Sequence, residues 1–298
     1  MNFFISEAAK NILAEHALII GNTSLAEKTE EDATSSDLKW DENKLDEFLG
    51  RIFLAERNGK FSIQYLKILN YMESLDFLIQ SGHSLARFGD GELRVMMGGS
   101  HQFHNPNKKL QLKLQDTFKN PDKRCAIGIV STLFKLKMPN DYWKETSPLI
   151  KKVIKNELDF GRVYLNTNMT LFFSNKRTKW GDAYFSKFRS LWEKKKILLV
   201  TNFELFGKLN NNIFDNAKEI IKIDTPKKNA FEEYDRIMNE IQKYDTTYTV
   251  VLIIGMTATV MANDLSKIGY RALDLGHLAR CYDLYRDGKE KPANFFSY

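Results

Sequence analysis

From about residue 84 onward, the apolar positions of the chain alternate between two patterns. Short continuous apolar runs such as ILLV and VVLII are typical of strands that are covered on both faces. Between these runs, apolar residues recur every three or four positions, which is the spacing of amphipathic helices. The pattern predicts strands at Cys125–Val130, Ile197–Asn202, Glu219–Asp224, Thr249–Gly255 and Arg271–Leu275.

Helices are predicted between these strands. They span Leu110–Phe118, Tyr142–Phe160, Ala183–Glu193, Ala230–Lys243 and Ala258–Lys267. Regular alternation of strands and helices favours a parallel sheet with right-handed crossovers. The sequence therefore predicts an α/β protein with a Rossmann-like, mostly parallel, doubly wound sheet.

The first sixty residues differ from the rest of the chain. Helical periodicity is present over Asp41–Arg57 and again over Phe61–Gln80, whereas Gly21–Asp37 is polar and acidic and is typical of a linker or exposed loop. We therefore predict a helical N-terminal extension over residues 1–60 and a larger α/β domain over residues 61–298. The extension could serve substrate recognition, homo-oligomer formation or coverage of the sheet, and the sequence leaves these three roles open.

The overall composition narrows the class of protein. A chain of 298 residues with 43% hydrophobic content can bury one large core or two small ones. No apolar run is long enough to span a bilayer, and the N-terminal segment lacks the basic leader of a signal peptide. The two cysteines, Cys125 and Cys281, cannot form a disulfide framework. We expect a cytoplasmic protein, with peripheral attachment to the inner face of the membrane left open.

The formal net charge of +6 permits an anionic partner. The basic residues are scattered in short runs that alternate with apolar residues, which is typical of solvated helix faces. No recognised nucleic-acid-binding module is present. We therefore expect no nucleic-acid partner.

The segment ARFGDGEL combines a strand with a turn that opens a helix. The turn presents two carboxylates, Asp90 and Glu92, and glycines at Gly89 and Gly91 allow close approach to the backbone. Oxygen donors at this spacing suit a hard cation such as Mn²⁺ or Mg²⁺, and Arg87 could offer positive charge to a bound phosphate. An ordinary surface turn is the alternative explanation, because these residue types are common in turns.

Two later strand ends carry further candidates. Gly255 and Thr257 stand between a strand and a helix, where free N–H groups and the helix dipole favour phosphate, although Thr257 could simply cap the helix. Asp274 and His277 follow the next strand. His277 is a candidate metal ligand or acid/base group, with a structural role as the alternative. In a parallel sheet, all these residues share the edge where ligands bind.

Several motifs resemble those of the GT-D-fold glycosyltransferases, bacterial enzymes of the adhesin-glycosylation type. They are ARFGDGEL, the tryptophan-containing helix of FRSLWEKKKILLV, the Pro-x-x-Asn-Ala-Phe stretch of IDTPKKNAF, GMTATVMANDL and ALDLGH. The resemblance covers roughly Tyr71 to Tyr285. In the IDTPKKNAF motif, Asn229 also has a purely local explanation, as an N-cap that forms a capping-box pattern with Glu232. The middle segment Tyr164–Trp180 fits the family poorly, but its Lys176, Arg177 and Lys179 are candidates for contacts with donor phosphates or acceptor.

The resemblance implies a metal-dependent transfer of a sugar from a nucleotide-sugar donor, with UDP-glucose the first choice. Asp90 and Glu92 would hold Mn²⁺ or Mg²⁺, and Arg87, Gly89, Gly91, Gly255, Thr257 and Asp274 would bind the donor. His277 joins the two carboxylates as a catalytic candidate. The acceptor, whether glycan, glycoprotein or lipid-linked, stays open. Two alternatives are another Rossmann-like metal and phosphate enzyme, such as a phosphatase, and a non-catalytic binding protein.

Overall fold

The computed structural model describes residues 67–99, 105–134, 141–142, 144–146, 150, 157–159, 161–174, 176–293 and 295–296. The predicted extension over residues 1–60 lies outside these residues, as does most of the predicted helix Tyr142–Phe160. The chain separates into two compact units, residues 1–67 with 131–163 and residues 68–130 with 164–298. In the first unit the described part includes a 3-10 turn at Ser131–Phe134.

In the described part of the chain, eight strands form one sheet. The strands are β1 (Lys67–Ile68), β2 (Ser84–Phe88), β3 (Cys125–Ile129), β4 (Val163–Asn166), β5 (Lys196–Thr201), β6 (Glu219–Asp224), β7 (Thr249–Ile253) and β8 (Arg271–Asp274). Their order across the sheet is β1-β4-β3-β2-β8-β7-β5-β6. The paired strands from β4 to β6 are parallel, which confirms the predicted α/β fold class.

The helices lie in two layers, one on each face of the sheet. They are α1 (Tyr71–Ser81), α2 (Asp90–Met96), α3 (Lys108–Lys119), α4 (Lys179–Arg189), α5 (Phe203–Phe206), α6 (Tyr234–Ile241), α7 (Met256–Lys267) and α8 (Leu278–Asp287). Helix α7 is almost completely buried and packs against β2, β8 and α3. On the opposite face, α1, α4 and α8 contribute to one large hydrophobic core.

Strand β2 contributes side chains to the helix layers on both faces of the sheet. Leu85 is fully buried in the core beneath α1, α4 and α8, whereas Phe88 packs edge-on against Phe118 of α3, with ring centroids 4.9 Å apart. Because successive side chains of a strand point to opposite faces, Arg87 lies on the same face as Leu85. This placement directs a guanidinium into the α4 and α8 side of the sheet edge.

The prediction of one helix over Phe61–Gln80 was wrong at its N-terminal end. Lys67–Ile68 forms the short strand β1, and the helix begins only at Tyr71. Asn70 stops the helix from extending further, because its side chain accepts a hydrogen bond from the Glu73 N–H while the Glu73 carboxylate accepts from the Asn70 N–H. This reciprocal capping box defines the start of α1.

A second local prediction, that Asn229 caps the following helix, was also wrong. Asn229 has the left-handed backbone conformation, with φ +54°, and makes no capping bond through its side chain. Its Oδ1 atom instead accepts a hydrogen bond from the N–H of Asn105. The predicted helix Ala230–Lys243 is split into a 3-10 turn, Ala230–Glu233, and the shorter helix α6.

Replacing Asn70 with alanine should reduce the free energy of unfolding by about 1 kcal/mol, because one capping acceptor of α1 is lost. Urea denaturation would measure the change. The control is Glu73→Gln, which preserves the capping pattern and should cost much less. Equal losses in the two variants would contradict the capping role of Asn70.

Candidate functional site

The strand order brings the three predicted site segments side by side. Strand β8 lies between β2 and β7, so the segment after Phe88, the segment after Ile253 and the segment after Asp274 emerge from adjacent parallel strands. Their carboxyl ends therefore share one edge of the sheet. All three segments belong to the second compact unit.

A buried ion pair joins two of these strands at the edge. Arg87 Nη2 lies 2.9 Å from Asp274 Oδ1, and the two side chains are only 13% and 2% exposed. Arg87 Nε also donates to the Asp274 main-chain carbonyl, at 2.9 Å, while the Arg87 N–H donates to Asp274 Oδ2, at 3.3 Å. Arg87 thus bonds both the carboxylate and the main-chain carbonyl of Asp274, so Asp274 is a structural partner of Arg87.

Two threonines that the sequence analysis did not single out complete this network. Thr170 Oγ1 accepts from Arg87 Nη1 at 2.7 Å, and Thr259 Oγ1 donates either to the Arg87 carbonyl, at 3.0 Å, or to Asp274 Oδ2, at 3.2 Å. Thr170 lies in a 3-10 turn after β4, and Thr259 lies within α7. Threonine is common in such positions, so no sequence signal distinguishes these two.

Gly276, in the turn after β8, lies directly against the Arg87 guanidinium. A Cβ atom at this position would stand 2.0 Å from Arg87 Nη2, far inside van der Waals contact. Gly276 also has φ +48°, in the left-handed region that favours glycine. The glycine of the LDLGH motif is therefore explained by the close approach of the arginine.

The Asp90–Glu92 turn is formed by the first residues of α2. Glu92 Oε2 accepts a hydrogen bond from the Gly89 N–H at 2.9 Å, which leaves its second carboxylate oxygen outside this bond. A Cβ on Gly89 would stand 2.9 Å from the same carboxylate oxygen, so a side chain there would displace Glu92. Gly91 is buried, and Asp90 is half-buried at the start of the helix.

The pKa of Glu92 is raised to about 7, first by burial and then by the negative charge of Asp274. The nearby Arg87 lowers it only in part. Burial also raises the pKa of Asp274, with Arg87 and Thr259 acting in the opposite direction. One guanidinium therefore stands among three carboxylates, those of Asp90, Glu92 and Asp274, and a cation beside Glu92 would relieve the excess negative charge.

The N-terminus of α7 presents a different kind of feature. Its N-cap is Gly255, which is exposed and has φ +60° and ψ −148°, a combination that is essentially restricted to glycine. Thr257 does not cap the helix. Its hydroxyl is fully buried and has no hydrogen-bond partner among the described residues. An unsatisfied buried hydroxyl is costly and calls for an explanation.

His277 stands just before α8, with its ring centroid 5.4 Å from those of both Phe295 and Phe296. Its pKa is lowered to about 4, chiefly by burial and further by the positive charges of Arg87 and Arg280. The imidazole is therefore neutral at neutral pH. A neutral ring can ligate a cation but is a weak proton acceptor.

The basic residues of the middle segment, Lys176, Arg177 and Lys179, are all exposed. Arg177 forms an ion pair with Asp182 at 2.9 Å, and Lys179 begins α4. Among the residues described, no group of three or more His, Cys, Asp or Glu side chains is arranged to hold a metal ion. Protein ligands for a cation would thus come from Asp90 and Glu92, with the remaining positions supplied by the bound ligand and water.

A parallel α/β sheet whose carboxyl edge combines acidic residues, glycine-rich turns and a helix N-terminus is typical of enzymes that bind nucleotides. The comparison with known proteins identifies the family. The family described as Glycosyltransferase GT-D fold matches residues 85–295. The chain belongs to this family.

Related proteins support the same assignment. The chain is 26% identical over 231 residues to "Probable glycosyl transferase Gly" of Streptococcus gordonii, covering 75% of this chain and 33% of that protein. It is also 26% identical over 243 residues to "Glycosyltransferase GlyD" of Streptococcus pneumoniae serotype 4, covering 78% and 29% respectively. The chain therefore spans about a third of the length of these curated relatives.

A solved structure described as "The highly conserved domain of unknown function 1792 has a distinct glycosyltransferase fold" matches with a TM-score of 0.68 and 28% identity. The match covers 76% of this chain and 84% of that one. A second, "A New Glycosyltransferase (DUF1792) from Streptococcus sanguinis", has the same TM-score and 26% identity over 76% of this chain and 87% of its own. These matches confirm the resemblance that the sequence motifs indicated.

Replacing Gly276 with alanine should displace the Arg87 guanidinium and leave Asp274 buried without its main partner. We expect a loss of unfolding free energy of about 3 kcal/mol, the magnitude typical of a broken buried ion pair, beyond the cost of the strained backbone. The control is Gly82→Ala, which has a similar φ of +68° but no atom within 4 Å of the added Cβ. Urea denaturation of both variants would separate the two costs, and equal losses would contradict the role assigned to Gly276.

Proposed function

We propose that this protein is a metal-dependent glycosyltransferase that moves a sugar from a UDP-sugar, with UDP-glucose the first choice, to a glycan, glycoprotein or lipid-linked acceptor. The single observation that carries the proposal is the shared strand edge in a chain of the GT-D family. At this edge Asp90 and Glu92 follow β2, while Gly255 and Thr257 follow β7, with only β8 between the two strands.

The diphosphate of the donor fits the N-terminus of α7. The first N–H groups of a helix have no partner within the helix, and the dipole adds positive potential there. Exposed Gly255 would let a phosphate approach the backbone closely. Thr257 offers a buried hydroxyl whose hydrogen bond is not made by the described residues, and a phosphate oxygen is an acceptor that would satisfy it.

The residues also fit Mn²⁺ or Mg²⁺. Asp90 and Glu92 provide carboxylate oxygens, and burial and the charge of Asp274 raise the pKa of Glu92, so that a cation would favour its charged form. When bound, such a cation supplies positive charge to the departing nucleoside diphosphate. Gly89 holds the Glu92 carboxylate in place through its N–H group.

Arg87 contributes to this site chiefly by holding other groups in position. Its bonds to Asp274 and Thr170 connect β2, β8 and the turn after β4. Because its charge is largely balanced by Asp274, the charge of the donor phosphates would be met mainly by the metal and the α7 N-terminus. The catalytic role of His277 stays a prediction, and its neutral ring is consistent with a contact to substrate or cation.

The described helices include none that is both long and apolar enough to cross a membrane. The cytoplasmic location and any oligomeric state stay predictions.

Asp90→Asn and Glu92→Gln should each reduce metal-dependent sugar transfer or donor hydrolysis at least about a hundredfold, because each removes a charged ligand while keeping the size of the side chain. Activity would be measured with UDP-, GDP- and dTDP-sugars, with and without Mn²⁺. Asp235→Asn and Glu232→Gln are matched controls, since both residues are exposed near the start of α6. Full activity in both site variants would reject the metal site.

Thr257→Val should weaken UDP-sugar binding by roughly fivefold, about 1 kcal/mol for one hydrogen bond, without lowering the stability of the free protein. The stability expectation follows because the hydroxyl bonds to none of the described residues. Thr259→Val is the contrasting variant, since its hydroxyl bonds Arg87 and Asp274, and it should lower the melting temperature. Calorimetric titration and thermal unfolding measure both effects, and unchanged donor affinity in Thr257→Val would argue against phosphate binding at this helix.

A further inference from the structure

A cavity of about 600 Å³ lies outside the strand-end site, on the helical layer of α4 and α8. Its walls are formed by α4, by α8 and by the loop around residues 210–215 that precedes β6. Among the described residues that line it, Arg177 is a sequence candidate for contacts with donor phosphates or acceptor, and none of the strand-end candidates is present. We call it the α4–α8 groove, and its volume falls within the range of small-molecule sites in proteins.

The loop that closes the groove is held firmly by hydrogen bonds. Asp283 Oδ1 accepts from the N–H groups of Asn210 and Asn211, both at 2.8 Å, and from Asn211 Nδ2 at 3.0 Å. Asp287 accepts from the side-chain amides of the same two asparagines. Helix α8 therefore fixes the position of the loop, and the groove is preformed.

The lining of the groove is mainly polar, with three aromatic residues packed beneath it. Phe185, Tyr282 and Tyr285 are almost completely buried beneath it. On the rim, two arginines are paired with aspartates: Arg177 lies 2.9 Å from Asp182, and Arg189 lies 2.5 Å from Asp215. Arg286 adds one further positive charge to the rim. The rim thus offers hydrogen-bond donors and acceptors side by side with little net charge.

This chemistry discriminates between classes of ligand. A nucleic acid or other polyanion would need uncompensated positive charge, and it would meet the carboxylates of Asp182 and Asp215. A neutral carbohydrate fits better, because each of its hydroxyls both donates and accepts hydrogen bonds and can therefore bond to both members of an ion pair on the rim.

The groove is also connected through the chain to the strand-end site. Helix α8 begins immediately after His277, and α4 follows the turn that contains Thr170, the partner of Arg87. One wall of the groove, helix α8, thus begins at the edge of the sheet where the donor is proposed to bind.

We propose that the α4–α8 groove binds a neutral oligosaccharide, a segment of the acceptor glycan. The identification of this ligand as the acceptor rests on the proposed glycosyltransferase function, whereas oligosaccharide binding itself does not. Arg177, predicted from the sequence as a possible acceptor contact, is part of this groove.

The test is saturation-transfer NMR and calorimetric titration with neutral tri- to pentasaccharides of glucose, galactose and N-acetylglucosamine, without donor or metal. We expect binding to at least one of them, and Ser186→Trp should weaken it by about tenfold or more because the indole would fill the groove. The matched control is Ala183→Trp, on the same helix and equally exposed but outside the groove, and it should bind normally.

A second pair of variants tests the polar rim. Arg286→Ala removes an exposed rim arginine, and Arg236→Ala removes an exposed arginine of α6 away from the groove. Only the first should reduce oligosaccharide affinity. The proposal is overturned if no neutral oligosaccharide binds, if Ser186→Trp and Ala183→Trp bind alike, or if a heparin fragment or oligonucleotide binds the groove more tightly.

The Glu92→Gln variant separates this proposal from the proposed function. Oligosaccharide binding should persist in it, because Glu92 does not line the groove. If the wild-type chain binds oligosaccharide but shows no activity on nucleotide-sugars, the transferase function is rejected and the proposal for the groove stands. If it hydrolyses the donor but binds no oligosaccharide, the proposal for the groove is rejected and the transferase function stands.

Discussion

The buried pair between Arg87 and Asp274 is the constraint on which the edge of the sheet depends. A carboxylate that is 2% exposed is tolerated only when its charge is matched and its oxygens are bonded. Here the matching groups come from the side chain and N–H of Arg87 and from the hydroxyl of Thr259. Satisfying one buried charge therefore joins β2, β8 and α7, and it leaves room at residue 276 for glycine alone.

The same pair determines the electrostatics of the candidate site. Burial and the charge of Asp274 raise the pKa of Glu92 to about 7, and Arg87, which is engaged by Asp274, opposes this rise only in part. Burial, together with the positive charges of Arg87 and Arg280, lowers the pKa of His277 to about 4. The edge thus combines a neutral imidazole with an excess of carboxylates, an environment that favours a bound cation together with an anionic donor.

Two surfaces of the second compact unit have different proposed roles: the strand-end site binds the donor, and the α4–α8 groove binds an oligosaccharide. The strand ends offer backbone N–H groups, carboxylates and a buried hydroxyl, which suit a metal and a diphosphate. The α4–α8 groove offers paired charges over aromatic rings, which suit a neutral sugar chain. The chain spans about a third of the length of the curated relatives it matches. Both proposals therefore concern only the part of those proteins that this chain matches.

Local sequence was sufficient for the features that depend on neighbouring residues. The apolar pattern predicted strands β3, β5, β6, β7 and β8. Glycine-flanked carboxylates indicated the Asp90–Glu92 turn. Strand β1 and the side-chain role of Asn229 were mispredicted because helical periodicity and capping patterns ignore partners far along the chain. The pairing of Arg87 with Asp274, 187 positions apart, and the contributions of Thr170 and Thr259 were decided only by tertiary structure. The physical reason is that a buried charge selects its partners by proximity across strands, which no local pattern encodes.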